Sequence, residues 1–246
     1  PVLRRPDGSI LAASRWTRRQ PDGSLSGKTV HLDATASTFT MTANHIVLPS
    51  QYMPATDQDQ VIVERHMFND ADGGATMVVW SRIQTRSAEG KRGTEVLTHL
   101  VKTTDEGSTW NYVSTLGPGG EPAVARLSAT EMVAVIRGTG TSQLTEVFSH
   151  DGGKTWSEPA KLEVGKVAPD LMLTSNGVLA CSYGRPASCL MFSLDGGKTW
   201  PSHHVISDRV AFNYTSICEI SPGRLLYVHD APKLNAVIVD VEKARP

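Results

Sequence analysis

Thr103-Thr104-Asp105-Glu106-Gly107-Ser108-Thr109-Trp110, Ser149-His150-Asp151-Gly152-Gly153-Lys154-Thr155-Trp156 and Ser193-Leu194-Asp195-Gly196-Gly197-Lys198-Thr199-Trp200 are three copies of one octapeptide. Each reads Ser/Thr-x-Asp-x-Gly-x-Thr-Trp. Their aspartates lie 46 and 44 residues apart. A period near 45 marks a repeat architecture, in which every unit is one supersecondary element stacked on its neighbours. Three of the five tryptophans fall in these boxes, so chance is a poor account of them.

The box has a physical logic. Apolar, strand-like residues 144–148 and 189–192 run into the second and third copies, and an extended stretch follows each box. Asp-x-Gly between two strands is a turn signal, because glycine takes φ > 0 without penalty. The Asp carboxylate can accept from the turn's own N–H groups, and the Thr hydroxyl can join that network. The Trp is expected to pack beneath the turn. The boxes are therefore read as structural staples, with no chemistry assigned to them.

Working outward, residues 121–127, 132–137 and 144–149 read as three strands before the second box, and 169–173, 178–183 and 189–193 repeat them before the third. A further repeat starts at 213–217 with its second strand at 225–229. Asp240 stands there at a decayed box position, 45 residues after Asp195. Upstream, 61–65 and 76–81 open the repeat that ends at Trp110. The first repeat runs from residue 2 to about 48, with Asp7-Gly8 as its turn and no intact box. Five repeats are visible. Residues 18–27 and 49–60 read as loops, no stretch reads as helical, and no linker divides residues 1–246. An all-β chain in a single domain is expected.

Composition narrows the function. A net charge of −1 leaves no basic field for nucleic acid. No apolar run approaches the length of a membrane-spanning helix. Three cysteines, Cys181, Cys189 and Cys218, lack metal-like spacing and read as buried thiols acting as small hydrophobes. His203 and His204 are adjacent, so on a strand they point to opposite sides and make a poor metal pair. No metal or cofactor is expected.

Arginine recurs at the end of the second strand in four repeats, as Arg15, Arg82, Arg137 and Arg185; His229-Asp230 takes that place in the last. Repeated units would direct equivalent positions to a common zone, and convergent guanidinium groups suit a carboxylate, which the planar fork binds bidentately.

The boxes and the order of these residues resemble the Asp-box repeats of the sialidase (neuraminidase) superfamily. The resemblance implies a β-propeller of six four-stranded antiparallel blades with the boxes on hairpins, of which a blade or part of one would be missing here. It also implies three arginines on the substrate carboxylate. The first belongs to a Tyr/Phe-Arg-Ile-Pro motif, whose end is similar to Pro1-Val2-Leu3, so that arginine would fall just upstream of Pro1. Arg137 and Arg185 match the second and third. Glu121, 16 residues before Arg137, matches the base, and Tyr214, 29 after Arg185 in Tyr214-Thr215-Ser216, matches the nucleophile. Asp22 or Asp33 would be the acid.

A phenol suits this chemistry because a sialic acid carries its carboxylate on the anomeric carbon and would repel a carboxylate nucleophile; sialidases are the tyrosine exception among glycosidases. A free tyrosine has a pKa near 10, so an adjacent base must take its proton. The implied function is a retaining exo-glycosidase acting on sialylated or other acidic glycans, in a secreted or periplasmic protein. A propeller of the same kind that binds glycan or protein without catalysis is the alternative.

Overall fold

The computed structural model describes residues 1–35, 37–56, 59–86, 90–140, 143–209 and 211–242. Two compact units make up the chain: residues 1–120 with 153–155, and residues 121–152 with 156–246. Each has its own core.

In the first unit, β1 (Val2–Arg4), β2 (Ile10–Ala13), β4 (Leu25–Leu32) and β5 (Phe39–Val47) pair antiparallel in that order, with β3 (Arg18–Arg19) also on β4. Then β6 (Gln60–Asn69), β7 (Ala75–Arg86), β8 (Arg92–Thr103) and β9 (Thr109–Pro118) form a second antiparallel run. The two runs are joined: residues 45–47 of β5 pair parallel with 109–111 of β9, giving one nine-stranded sheet where separate sheets are expected. The first box makes this join. His45 donates its N–H to the Ser108 carbonyl, and the buried Thr29 hydroxyl donates to that of Gly107. Leu11, Leu25, Ile46, Val63, Met77 and Trp110 are among the core residues.

Three sheets follow. β10 (Gly120–Arg126), β11 (Met132–Arg137), β12 (Leu144–Ser149) and β13 (Ala160–Lys161) form one antiparallel sheet of four, and β14 (Val167–Leu173), β15 (Leu179–Gly184), β16 (Ser188–Ser193) and β17 (Ser202–Ser207) form the next. The last, β18 (Thr215–Ser221), β19 (Arg224–His229) and β20 (Asn235–Asp240), has three strands. Residues 132–136 of β11 are all essentially inaccessible, as in a strand covered on both faces. Cys181 and Cys189 are buried free thiols among these cores, and Cys218 is exposed.

The boxes join β8 to β9, β12 to β13 and β16 to β17. In the first, the Thr103 hydroxyl donates to Asp105 at 2.7 Å and accepts from the Gly107 N–H at 2.9 Å, while Asp105 also accepts from the Thr109 N–H. The third repeats this with Ser193, Asp195, Gly197 and Thr199. The leading hydroxyl is thus the pivot of the turn, a role its bare position in the motif does not reveal. The tryptophans differ. Trp110 is fully buried, whereas Trp156 and Trp200 are half-buried.

Three local expectations change. The loop at 18–27 contains β3 and the start of β4, because Arg18 and Arg19 pair with Ser26 and Leu25. The loop at 49–60 holds one 3-10 turn, Ser50–Tyr52, after Pro49. Arg82 does not end its strand: β7 runs on to Arg86, since β8 pairs with it over its full length.

Candidate functional site

Glu121 is the second residue of β10, Arg137 closes β11, and Tyr214 immediately precedes β18. Sequence-distant strand ends thus bring three side chains of the second unit together. The Tyr214 hydroxyl donates to Glu121 Oε1 at 3.1 Å. Arg137 donates to the same oxygen at 2.5 Å. The other carboxylate oxygen accepts from the Ala168 N–H at 3.2 Å. The side chains of Arg137 and Glu121 are 28% and 17% exposed, and Tyr214 is 39% exposed. The trio is therefore sheltered but open to a ligand. Burial works to lower the Arg137 pKa, but the hydrogen bond and charge of Glu121, with Tyr214 adding, raise it on balance. Arg137 stays a cation.

The backbone around the trio is unusual. Six non-glycine residues among those described have positive φ, and four belong here: Glu121 (45°), Ala168 (42°), Arg185 (58°) and Asn213 (58°). Such conformations cost about 1–3 kcal/mol each and persist only where the surroundings over-determine them. The surroundings do so. Asn213 is fully buried, and its amide donates to Ser188 Oγ and the Arg209 carbonyl while accepting from the Ala211 N–H. The Tyr214 N–H donates to Asp230, just past β19. Ala168 sits at the β14 irregularity, giving its N–H to Glu121 and accepting from the Thr215 hydroxyl. One strained residue thus links the strand end that carries Glu121 to the one that carries Tyr214.

Arg185 follows β15. Its Nε donates to the Phe212 carbonyl at 3.0 Å. The four other N–H donors of its guanidinium have no protein partner among the described residues. Gly184 makes this arrangement possible: a Cβ there would lie 1.8 Å from the Asn213 carbonyl oxygen.

The remaining candidates lie in the first unit. Arg15 spends its fork on Glu64, at 3.0 and 3.3 Å, and Trp80 Nε1 donates to the same carboxylate. Arg82 is an exposed mid-strand residue. Asp22 lies in the β3–β4 turn, accepting from the backbone N–H and hydroxyl of Ser24, and both bonds lower its pKa. Asp33 lies in the β4–β5 turn and accepts from Thr35, Ser37 and Thr38. The hydroxyl bonds of Thr35 and Thr38 lead in pushing its pKa far below the usual carboxylate range. These turns hold both carboxylates ionised, which opposes the proton-donor role. Among the described residues no cluster of three His, Cys, Asp or Glu side chains is arranged to hold a metal ion.

Ala168, Gly184, Asn213 and Asp230 are the supporting residues that sequence reasoning passed over or left open. One signal was there: Glu121-Pro122 and Ala168-Pro169 are equivalent positions of two repeats.

Residues 14–229 match the BNR repeat-like domain family. No curated protein sequence matches the chain at a significant level. Among solved structures, the chain is similar to a protein of unknown function from Dyadobacter fermentans, with 18% identity, a TM-score of 0.72, and coverage of 96% of this chain and 73% of that one. It is similar to a Hadza microbial sialidase at 14% identity and TM-score 0.66, covering 94% of this chain but 49% of the sialidase, so it spans about half that protein's length. It is also similar to the α-L-arabinofuranosidase of Fusarium graminearum at 14% identity and TM-score 0.61, covering 94% of this chain and 76% of that one. At these identities the likeness is one of fold. The family match, by contrast, covers most of the chain, and this chain belongs to the BNR repeat-like domain family.

Proposed function

We propose that the site at Tyr214 is a retaining exo-glycosidase centre for a terminal acidic sugar, sialic acid or a close relative, and that the sheets are blades of a sialidase-type propeller. One observation carries the reading: the Tyr214 hydroxyl is hydrogen-bonded to Glu121, which Arg137 pairs in turn. Tyr214 Oη attacks the anomeric carbon as the glycosidic bond breaks, the phenol proton passes to Glu121, and the departing aglycone oxygen takes its proton from solvent. The substrate carboxylate lies between Arg185, with its free donors, and Arg137. By competing for Arg137 it loosens the Arg137–Glu121 pair and leaves Glu121 to the phenol proton. Water then hydrolyses the tyrosyl-sugar intermediate with retention. The glycosidases among the fold's similar structures support a sugar substrate; the substrate's acidity rests on the two arginines.

The test is turnover of a fluorogenic sialoside, with a fluorogenic arabinofuranoside as comparison. Tyr214→Phe keeps the ring and removes the attacking oxygen, so hydrolysis should fall by at least about a thousandfold with the fold intact. Activity that survives this change near full rate sinks the covalent-tyrosine mechanism. A second reading, a glycan-binding fold without catalysis, is favoured by the turn-locked carboxylates of Asp22 and Asp33. It predicts sialoside binding that weakens in Arg185→Gln, and no turnover to lose.

A further inference from the structure

Strand β14 lies between the two partners of the Tyr214–Glu121 hydrogen bond, and Asp170 is its one acidic residue. Glu121 is on β10 and Tyr214 leads into β18, and β10, β14 and β18 belong to three different sheets. Among the described residues, no strand ladder fixes one of these sheets against the next. Apolar packing between sheets is non-directional, so the register of Tyr214 on Glu121 depends on specific bonds. The Ala168 N–H donates to Glu121 Oε2, and the Ala168 carbonyl accepts from the Thr215 hydroxyl at 3.3 Å. Two residues further on, Asp170 Oδ2 accepts from the Ser216 hydroxyl at 2.8 Å and from the Ile217 N–H at 3.0 Å. Each of the three residues that follow Tyr214 is thus bonded to β14.

The strand is shaped for this. Its pairing with β15 is irregular between Val167 and Asp170 and regular from Asp170 onward, where Asp170 stands opposite Ser182. An irregularity of this kind re-aims the side chains beside it. Asp170 is 4% exposed and Ile217 5%. Burying a carboxylate is costly unless it is hydrogen-bonded or paired, and the donors from β18 meet that need. The preceding repeat does without the acid. Glu121-Pro122-Ala123 corresponds to Ala168-Pro169-Asp170, and Ala123 is fully buried. A sheet of this design therefore packs with an alanine there; the aspartate belongs to the repeat whose neighbour carries Tyr214. We propose that Asp170 is a positioning residue for the reaction at Tyr214: it fixes the start of β18 so that the phenol stays within hydrogen-bond reach of Glu121. The inference rests on Tyr214 acting as nucleophile with Glu121 as its base. In such a pair a misplacement of about 1 Å can cost about a hundredfold in rate.

Two readouts on the full chain test this: kcat and KM for a fluorogenic sialoside, and NMR of tyrosine labelled with carbon-13 at Cζ. The chain has five tyrosines, and Tyr214→Phe assigns the resonance at issue. In the otherwise unmutated protein that resonance should move on Glu121→Gln. Asp170→Ala should abolish this response and lower kcat at least about tenfold in folded protein. KM should change far less, because Arg137 and Arg185 are carried by β11 and the end of β15. Asp170→Asn, which keeps an acceptor of the same shape, should restore most of kcat and of the response. Should Asp170→Ala fail to fold, Ser216→Ala decides: it removes one of the two donors at an exposed residue and should lower kcat about threefold or more with KM unmoved. A merely structural aspartate would lower the urea midpoint and leave both kcat and the Tyr214 response intact in these variants, and that result overturns the proposal. An unmutated protein without turnover sinks the reaction instead, and the Tyr214 response to Glu121→Gln, kept or lost in Asp170→Ala or Ser216→Ala, then decides the positioning role alone.

Discussion

Tyr214 illustrates how much of a site a residue type and its spacing can carry. The order Glu121, Arg137, Arg185, Tyr214 was legible through the resemblance to the sialidase superfamily, and the two arginines also through their recurrence at the ends of second strands. The structure brings Glu121, Arg137 and Tyr214 into one hydrogen-bonded group. What holds them was not legible. Ala168 and Asn213 act through backbone conformation; an alanine gives no sign of a positive φ, and an asparagine tolerates one without requiring it. Gly184 is the sharpest case. Its missing Cβ leaves room for the Asn213 carbonyl, so Gly184→Ala must displace the backbone between Arg185 and Tyr214. Overpacking typically costs about 1–3 kcal/mol, and here the obstacle is a peptide rather than a yielding side chain. Denaturant unfolding should show a loss in or above that range, and sialoside turnover should fall further than the loss of folded protein explains.

At the scale of elements, the boxes fixed the period and hence most strand positions, because a turn with its own hydrogen-bond network needs little from its surroundings. The Ser193 hydroxyl bonds both Asp195 and the buried Gly197 N–H. Ser193→Ala orphans that donor and should cost about 1–3 kcal/mol in denaturant unfolding, whereas Thr199→Ala, at the exposed side of the same turn, should cost less. The box tryptophans should separate in the same way. Trp110→Ala empties a fully buried site and should cost about 3–5 kcal/mol. Trp200, half-buried with its Nε1 on Glu146, should cost visibly less. That inequality was invisible in the motif, which treats the three rings alike. The join between β5 and β9 was equally hidden. It depends on where one strand edge meets another, and periodicity within a strand says nothing of its neighbours.

For the molecule as a whole, composition bounds the field at a net charge of −1, but acid stability is decided by individual groups. His99 is fully buried, with Nε2 2.9 Å from Ser81 Oγ, Nδ1 3.0 Å from Thr115 Oγ1, and the Tyr52 ring 4.6 Å away. Burial pushes its pKa down to about 4 from the usual 6.5. The unfolded chain therefore binds the His99 proton more readily than the folded one. The sign follows: stability is full above about pH 6.5 and falls as pH drops towards 4. At 1.36 kcal/mol per pKa unit the loss is about 3 kcal/mol. Carboxylates act lower. Asp195, held near 2 by its bonds from the Thr199 hydroxyl and N–H and from Ser193, contributes stability above its unfolded pKa that disappears only as pH falls towards 2. The two windows barely overlap, and the comparison with a His99 variant separates the imidazole from the other groups. Urea midpoints measured from pH 7 to 4 should decline in the unmutated protein, with a much flatter profile in His99→Gln, which keeps a polar side chain between Ser81 and Thr115 and cannot take up the proton. Parallel profiles for the two proteins would mean that the imidazole is not held neutral by its burial, and that the acid limb belongs to the carboxylates.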